Sequence, residues 1–138
     1  MNIGFIGTGL MGAPMIKNLL KSKHQISIFN RTISKARKLK KYGAYLSYKI
    51  DELVKDKEII ITMLTDDKAV KDIIRSKTFL NNVCKETTVI DMSSTKPSTA
   101  LDNYKKLKKR GVYFLDAPVS GGTKGAESAS LAIMVGGE

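Results

Sequence analysis

The sequence predicts an α/β protein, a doubly wound and mostly parallel sheet with helices on both faces. Three observations lead there. Short apolar runs alternate with longer amphipathic stretches along the whole chain, as in successive strand–helix units. One run, Ile59-Ile60-Ile61, is continuously β-branched, as expected of a central strand covered on both faces. The first run, Asn2-Ile3-Gly4-Phe5-Ile6, leads directly into glycines at 7, 9 and 12 and then into an amphipathic helix.

Taken in order, residues 2–6 form the first strand. A helix is predicted from about Leu10 to Leu20, with Met15, Ile16, Leu19 and Leu20 at helical spacing and Pro14 early enough to cost little. Residues 26–30 form the second strand, and a helix runs from there to about Tyr42, where Gly43 stops it. Residues 44–46 are a short third strand, and Ser47 is placed to cap a short helix ending at Val54. Residues 58–64 make the central strand. Thr65-Asp66-Asp67 reads as a helix start, with Ala69, Val70, Ile73 and Ile74 facing inward. Residues 87–92 form the next strand. Pro97 suits a first helical turn, and Ala100, Leu101, Tyr104 and Leu107 are predicted to point at the core before Gly111 ends the helix. Residues 112–115 are another strand, and residues 131–135 a last one.

A chain of 138 residues corresponds to about one domain. With 42% apolar and 27% charged residues it reads as a globular protein, and no apolar run approaches the roughly 20 residues of a membrane span. No membrane partner and no signal segment are expected. Cys84 is the only cysteine, which excludes an intrachain disulfide and makes a cytoplasmic setting the expectation. The net charge of +11 raises nucleic-acid binding as a rival. The cations are nearly all lysines on amphipathic helices, as in Lys38-Leu39-Lys40-Lys41, with only four arginines, so solvated helix faces are the preferred reading and no nucleic-acid partner is expected.

The chemistry concentrates at the predicted carboxyl ends of the strands. Gly7-Thr8-Gly9-Leu10-Met11-Gly12 is G-x-G-x-x-G between strand and helix. Gly7 permits the turn, Gly9 lets the backbone approach a pyrophosphate, and Gly12 allows close packing; the helix N-terminus supplies the anion site. A plain glycine turn is the bland alternative. The motif in this setting makes the sheet Rossmann-type and the ligand a dinucleotide. The second strand ends in Asn30-Arg31-Thr32, where a site for NAD places an acidic residue against the ribose. With no carboxylate to repel a 2′-phosphate and Arg31 free to pair with one, NADP is favoured by roughly ten- to hundredfold, with NAD possible. Arg31 as a mere surface residue is the alternative. Met63 and Leu64, Ser94 and Thr95, and Ser120-Gly121-Gly122 fall at the same edge. Ser94 and Thr95 are candidates for nicotinamide or substrate, although Thr95 is also placed to cap a helix. Ser120, Gly121 and Gly122 offer a hydroxyl and backbone N–H groups to a carboxylate, or else form an ordinary turn. His24 reads as a turn residue, Asp91 and Asp116 as strand-end residues, and no cluster has metal-ligand spacing.

These four stretches in this order resemble the β-hydroxyacid dehydrogenases: residues 4–15, Ile61-Thr62-Met63-Leu64, Asp91-Met92-Ser93-Ser94-Thr95 and Asp116-Ala117-Pro118-Val119-Ser120-Gly121-Gly122. The resemblance covers essentially the whole chain. It implies reversible hydride transfer between NAD(P)H and a small semialdehyde or β-hydroxy acid. It gives the pyrophosphate to residues 7–12, the adenosine ribose phosphate to Asn30, Arg31 and Thr32, the cofactor's lining to Met63, Leu64, Ser94 and Thr95, and the substrate carboxylate to Ser120, Gly121 and Gly122. It also implies that the catalytic lysine lies beyond Glu138, so that no catalytic residue is assigned within residues 1–138. An all-helical second domain, which closes the cleft and builds a homo-oligomer, is expected to be missing, leaving a truncated cofactor-binding domain. Apolar residues 131–135, left at an open sheet edge, are expected to favour self-association. One departure is Ala129, near which the family carries glycine.

Overall fold

A computed structural model describes all of residues 1–138. The strands are β1 Asn2–Ile6, β2 Gln25–Phe29, β3 Tyr45–Leu46, β4 Ile59–Thr62, β5 Thr88–Asp91 and β6 Tyr113–Asp116, followed by the short β7 Val119–Ser120, β8 Ala132–Ile133 and β9 Gly136–Gly137. The helices are α1 Gly12–Lys21, α2 Ile33–Arg37, α3 Ile50–Val54, α4 Asp67–Ile74, α5 Lys77–Asn82, α6 Pro97–Lys108 and α7 Gly122–Glu127. The main sheet runs β3-β2-β1-β4-β5-β6-β9 and is parallel except for β9. The strand order reverses between β1 and β4, which creates the crevice where ligands of such sheets bind. No helix is long and apolar enough to cross a membrane.

Two cores follow from alternation along the strands. Ile3, Phe5, Ile26, Ile28 and Ile61 face α1 and α2, where Met15, Ile16, Ala36 and Leu39 meet them. Ile60, Val89 and Phe114 face the other way, against Leu53, Val70, Ile74, Phe79 and Leu107. Each fully buried aliphatic side chain contributes about 1.5–3 kcal/mol. Helix starts follow local chemistry. Asp66 caps α4 by accepting from the Ala69 N–H at 2.8 Å, Ser76 caps α5 through the Phe79 N–H at 3.1 Å, and Pro97 opens α6.

Several local expectations are corrected. The helix after β2 is shorter than predicted: α2 stops at Arg37, and a 3-10 turn, Lys40–Tyr42, precedes Gly43. Ser47 caps nothing; α3 starts after Lys49, while Ser47 donates its N–H to the Ile28 carbonyl at the sheet edge. Leu101 is 52% exposed, because the buried stripe of α6 runs through Thr99, Ala100, Asn103 and Leu107. Residues 131–135 are not one strand. β8 pairs with β7 in a separate hairpin, the Met134 N–H donates to Pro118, and the chain then lays β9 antiparallel on Leu115 and Asp116. Residues 131–135 are expected from the sequence to form the open edge of the sheet; instead β9 covers the last two residues of β6. Ala129 takes the left-handed conformation, φ +56°, that the missing glycine would hold without strain.

Candidate cofactor site

The glycine loop is built from backbone contacts that a side chain would forbid. Gly7 has φ +108°, and a Cβ there would stand 2.1 Å from the Met63 carbonyl oxygen, which comes from the exit of β4. A Cβ on Gly12 would stand 1.9 Å from the Gly7 carbonyl oxygen, so this glycine closes the loop on itself more than on the strand. Gly9 is different: a Cβ there would meet nothing within 4 Å. The N–H groups of Gly9, Leu10, Met11 and Gly12 find no acceptor within the chain. Four donors without acceptors at the start of α1 make a candidate anion cradle of the kind helix N-termini supply. Leu10 is 84% exposed and stands over the loop. The Thr8 hydroxyl is buried at the loop with no hydrogen-bond partner.

Asn30 has a part that the sequence did not suggest. Its side-chain oxygen accepts from the Thr8 N–H at 3.0 Å, and its amide donates to the Thr32 carbonyl at 3.0 Å. It braces the glycine loop against the exit of β2. Arg31 and Thr32 are exposed and make no side-chain hydrogen bond, so both are free to meet a ligand at this edge.

The exits of β4 and β5 are tied together by Asp91, which the sequence marks as a strand-end residue, and by Thr62 and Ser93, to which it gives no role of their own. Asp91 is fully buried; its Oδ1 accepts from the Thr62 hydroxyl at 2.8 Å and from the Ser93 N–H at 3.1 Å. The Ser93 hydroxyl in turn accepts from the Leu64 N–H at 2.8 Å. This chain of bonds fixes Leu64, whose side chain stands beside Gly7, while Ser94 is exposed. Met63 is held by its N–H bond to Ile6 and packs its side chain toward the α1 face. Burial pushes the Asp91 carboxyl above the usual carboxylate range, although the bonds from Ser93 and Thr62 pull the other way. Asp116, its register partner on β6, is raised by burial and by the Asp91 charge. Asp91 Oδ2 and Asp116 Oδ1 both lack partners.

Thr95 does not cap a helix: the cap position of α6 is Lys96, and the buried Thr95 hydroxyl is unpartnered. The start of α6 is held instead by Asp67 of α4, which accepts from the Lys96 N–H at 2.9 Å and the Thr99 hydroxyl at 2.6 Å. Those bonds, Thr99's first, hold the Asp67 carboxyl below its ordinary value. Ser120, Gly121 and Gly122 are exposed at the end of β7 and start α7 rather than a simple turn. α7 is seated on α1, where Asn18 donates to the Ala126 carbonyl at 2.7 Å.

The profile described as the NAD binding domain of 6-phosphogluconate dehydrogenase matches residues 2–138. The mitochondrial 3-hydroxyisobutyrate dehydrogenase of Drosophila melanogaster is 40% identical over 136 residues, 99% of this chain and 42% of that protein. The structure of Mycobacterium tuberculosis 3-hydroxyisobutyrate dehydrogenase with L-serine superposes with a TM-score of 0.94 at 34% identity, over 99% of this chain and 46% of the other. Psf3, solved with NADP+ and 2-OPP, gives a TM-score of 0.94 at 29% identity, over 99% and 49% respectively. The chain thus spans less than half the length of each.

Proposed function

This chain belongs to the β-hydroxyacid dehydrogenases as their NAD-binding domain, and from that premise we propose that it binds NADP, with NAD as the weaker ligand, on behalf of an enzyme acting on a small semialdehyde or β-hydroxy acid. The observation that carries this reading is the contrast within the glycine loop. Gly7 and Gly12 are closed on backbone oxygens, whereas a Cβ on Gly9 would meet only open space, in a loop whose N–H groups at residues 9–12 have no acceptor in the chain.

When bound, the cofactor supplies or accepts the hydride at its nicotinamide. The residues of this chain bind and orient it. Residues 7–12 take the pyrophosphate at the positive end of α1. Arg31 and Thr32 meet the 2′-phosphate, with Asn30 holding the loop in register. Leu64, fixed through Ser93, and Met63 line the crevice, while Ser94 and the unpartnered Thr95 hydroxyl point chemistry toward the nicotinamide end. Ser120, Gly121 and Gly122 seat the substrate carboxylate. The proton-transferring lysine is assigned outside residues 1–138, so this chain alone binds cofactor without turning substrate over.

Thermal denaturation with each dinucleotide tests the reading. NADPH should raise the melting temperature more than NADH at equal concentration. Arg31→Ala should erase the difference and spare the NADH shift. The loss of one charge-assisted bond corresponds to roughly ten- to hundredfold in NADPH affinity. Equal shifts in the unmutated chain refute the NADP assignment, and no shift with either dinucleotide refutes the site.

A further inference from the structure

Ser94 and Thr95 form a two-residue bridge between two fixed points. Before them stands Ser93, fully buried, its N–H held by Asp91 and its hydroxyl by the Leu64 N–H. After them, Lys96 opens α6. The N–H groups of Ser94 and Thr95 find no acceptor within the chain. The course of the bridge is therefore set by its two ends.

The far end is held from another helix. Lys96 occupies the cap position of α6 and makes no side-chain capping bond, and the next residue, Pro97, has no N–H to offer. Asp67, the first residue of α4, supplies the missing acceptor from across the gap. Its Oδ2 accepts from the Lys96 N–H at 2.9 Å and from the Thr99 hydroxyl at 2.6 Å. Its negative charge also suits the positive ends of both helices. α6 does not depend on this bond to keep its place. At the other end of α4, Arg75 donates to Asn103 Oδ1 at 2.8 Å and to the Thr99 carbonyl at 3.5 Å, and it pairs with Asp102 at 3.8 Å. Ala100 and Leu107 anchor the helix in the core. What Asp67 alone fixes is the Lys96 N–H, which is the far end of the bridge.

We propose that, given the cofactor reading above, Asp67 is a positioning residue that presets the Ser94–Thr95 bridge for the nicotinamide half of the dinucleotide without touching the ligand. Asp67, Lys96 and Thr99 belong to none of the positions assigned to the cofactor. With the clip cut, the bridge is ordered only as the dinucleotide binds. Re-ordering about one residue's backbone weakens NADPH roughly tenfold. The adenosine half, at the exit of β2, does not use the bridge.

Calorimetric titration of NADPH and of adenosine 2′,5′-bisphosphate into the 138-residue chain separates the two halves. D67A should weaken NADPH by roughly tenfold and leave the bisphosphate within about twofold. T99V, which cuts one of the two bonds, should show the same split at smaller size, and D67A/T99V should be no worse than D67A alone. D67N, whose amide keeps an oxygen acceptor, should restore most of the NADPH affinity. Amide exchange of Lys96 in the ligand-free chain should quicken in D67A, with that of Asn103 unchanged. R75Q, which loosens α6 elsewhere, should lower the melting temperature and leave the ratio of the two affinities as it was. Equal weakening of both ligands in D67A, unchanged NADPH affinity, or the same split in R75Q would each overturn the assignment and leave Asp67 a purely structural cap. If D67A does not fold, T99V decides by the same split. An unmutated chain that binds NADPH no better than the bisphosphate overturns the preset bridge and keeps the adenosine site, whereas binding of neither ligand overturns the cofactor reading along with it.

Discussion

Two alanine substitutions in one loop should have opposite effects, and the structure gives their sizes. A Cβ at Gly9 meets nothing within 4 Å, and its backbone is outside the left-handed region. Gly9→Ala should therefore leave the fold intact and stabilise it by about 0.4–1 kcal/mol, through the smaller entropy of the unfolded chain. For 138 residues the unfolding entropy is about 0.3 kcal/mol/K, so the melting temperature should rise by roughly 1–3 °C. If the open space at Gly9 is the phosphate seat, as proposed, the same methyl intrudes on it. Losing one charge-assisted bond to a phosphate weakens NADPH by about 1.5–3 kcal/mol, or roughly ten- to hundredfold. Gly12→Ala places its Cβ 1.9 Å from the Gly7 oxygen, more than 1 Å inside the closest approach that real Cβ atoms make. Backbone must move, and the cost should exceed the roughly 1–3 kcal/mol of ordinary overpacking. Circular-dichroism melts and calorimetric titration with NADPH separate the two. A Gly9→Ala chain that melts higher and still binds NADPH like the parent would refute that open space as the phosphate seat. A Gly12→Ala chain with an unchanged melting temperature would refute the loop closure.

Three further outcomes are expected. With the general acid proposed to lie outside residues 1–138, these residues alone should show no turnover above background with glyoxylate, succinic semialdehyde or tartronate semialdehyde, since loss of a general acid costs ~10²–10⁴-fold; robust oxidation of NADPH in a spectrophotometric assay would place the acid within residues 1–138. Asp91→Asn should stabilise the fold at pH 7 and change little at pH 3. A carboxyl raised in the folded state contributes its stability below the unfolded value of about 3.9 and loses it as pH rises through the folded value, so the neutral amide should flatten that fall; parallel melting curves against pH for the two proteins would contradict this. Ile133, Met134 and Val135 are exposed beside an apolar hollow of about 430 Å³ that Val135 also lines. Light scattering across a concentration series should show self-association that Val135→Lys abolishes, and a parent chain that stays monomeric at high concentration rules the contact out.

What the sequence made legible was mostly periodic or local. The β-branched run of β4, the glycine spacing and the proline at the start of α6 each act within one element, and each appears where expected. The tie through Asp91 and Ser93 was hidden because its partners, Thr62 and Leu64, stand 29 residues away. In Ser93-Ser94-Thr95 nothing local says which hydroxyl turns inward. α7 is not predicted from the sequence, where Gly122 and Gly125 are poor helix formers. It forms because Gly125 and Ala126 are buried against α1, and because a side chain on Gly125 would press on Leu131, its Cβ 3.0 Å from Cδ2. The split of residues 131–135 was equally illegible, since an apolar run carries no record of which strand it will pair with.

The brace between Asn30 and the glycine loop bears on how freely this domain can be re-engineered. A residue that both accepts from Thr8 and donates to Thr32 is committed to architecture before any ligand arrives. Replacing it with aspartate keeps the acceptor and forfeits the donor, so altering dinucleotide choice at position 30 also alters the loop that every dinucleotide must use. Arg31 carries no such obligation. The two neighbours therefore differ in evolvability: one is pinned by two duties at once, and the other, if it meets the ligand as proposed, can be changed by selection, natural or in the laboratory, without first repairing the scaffold.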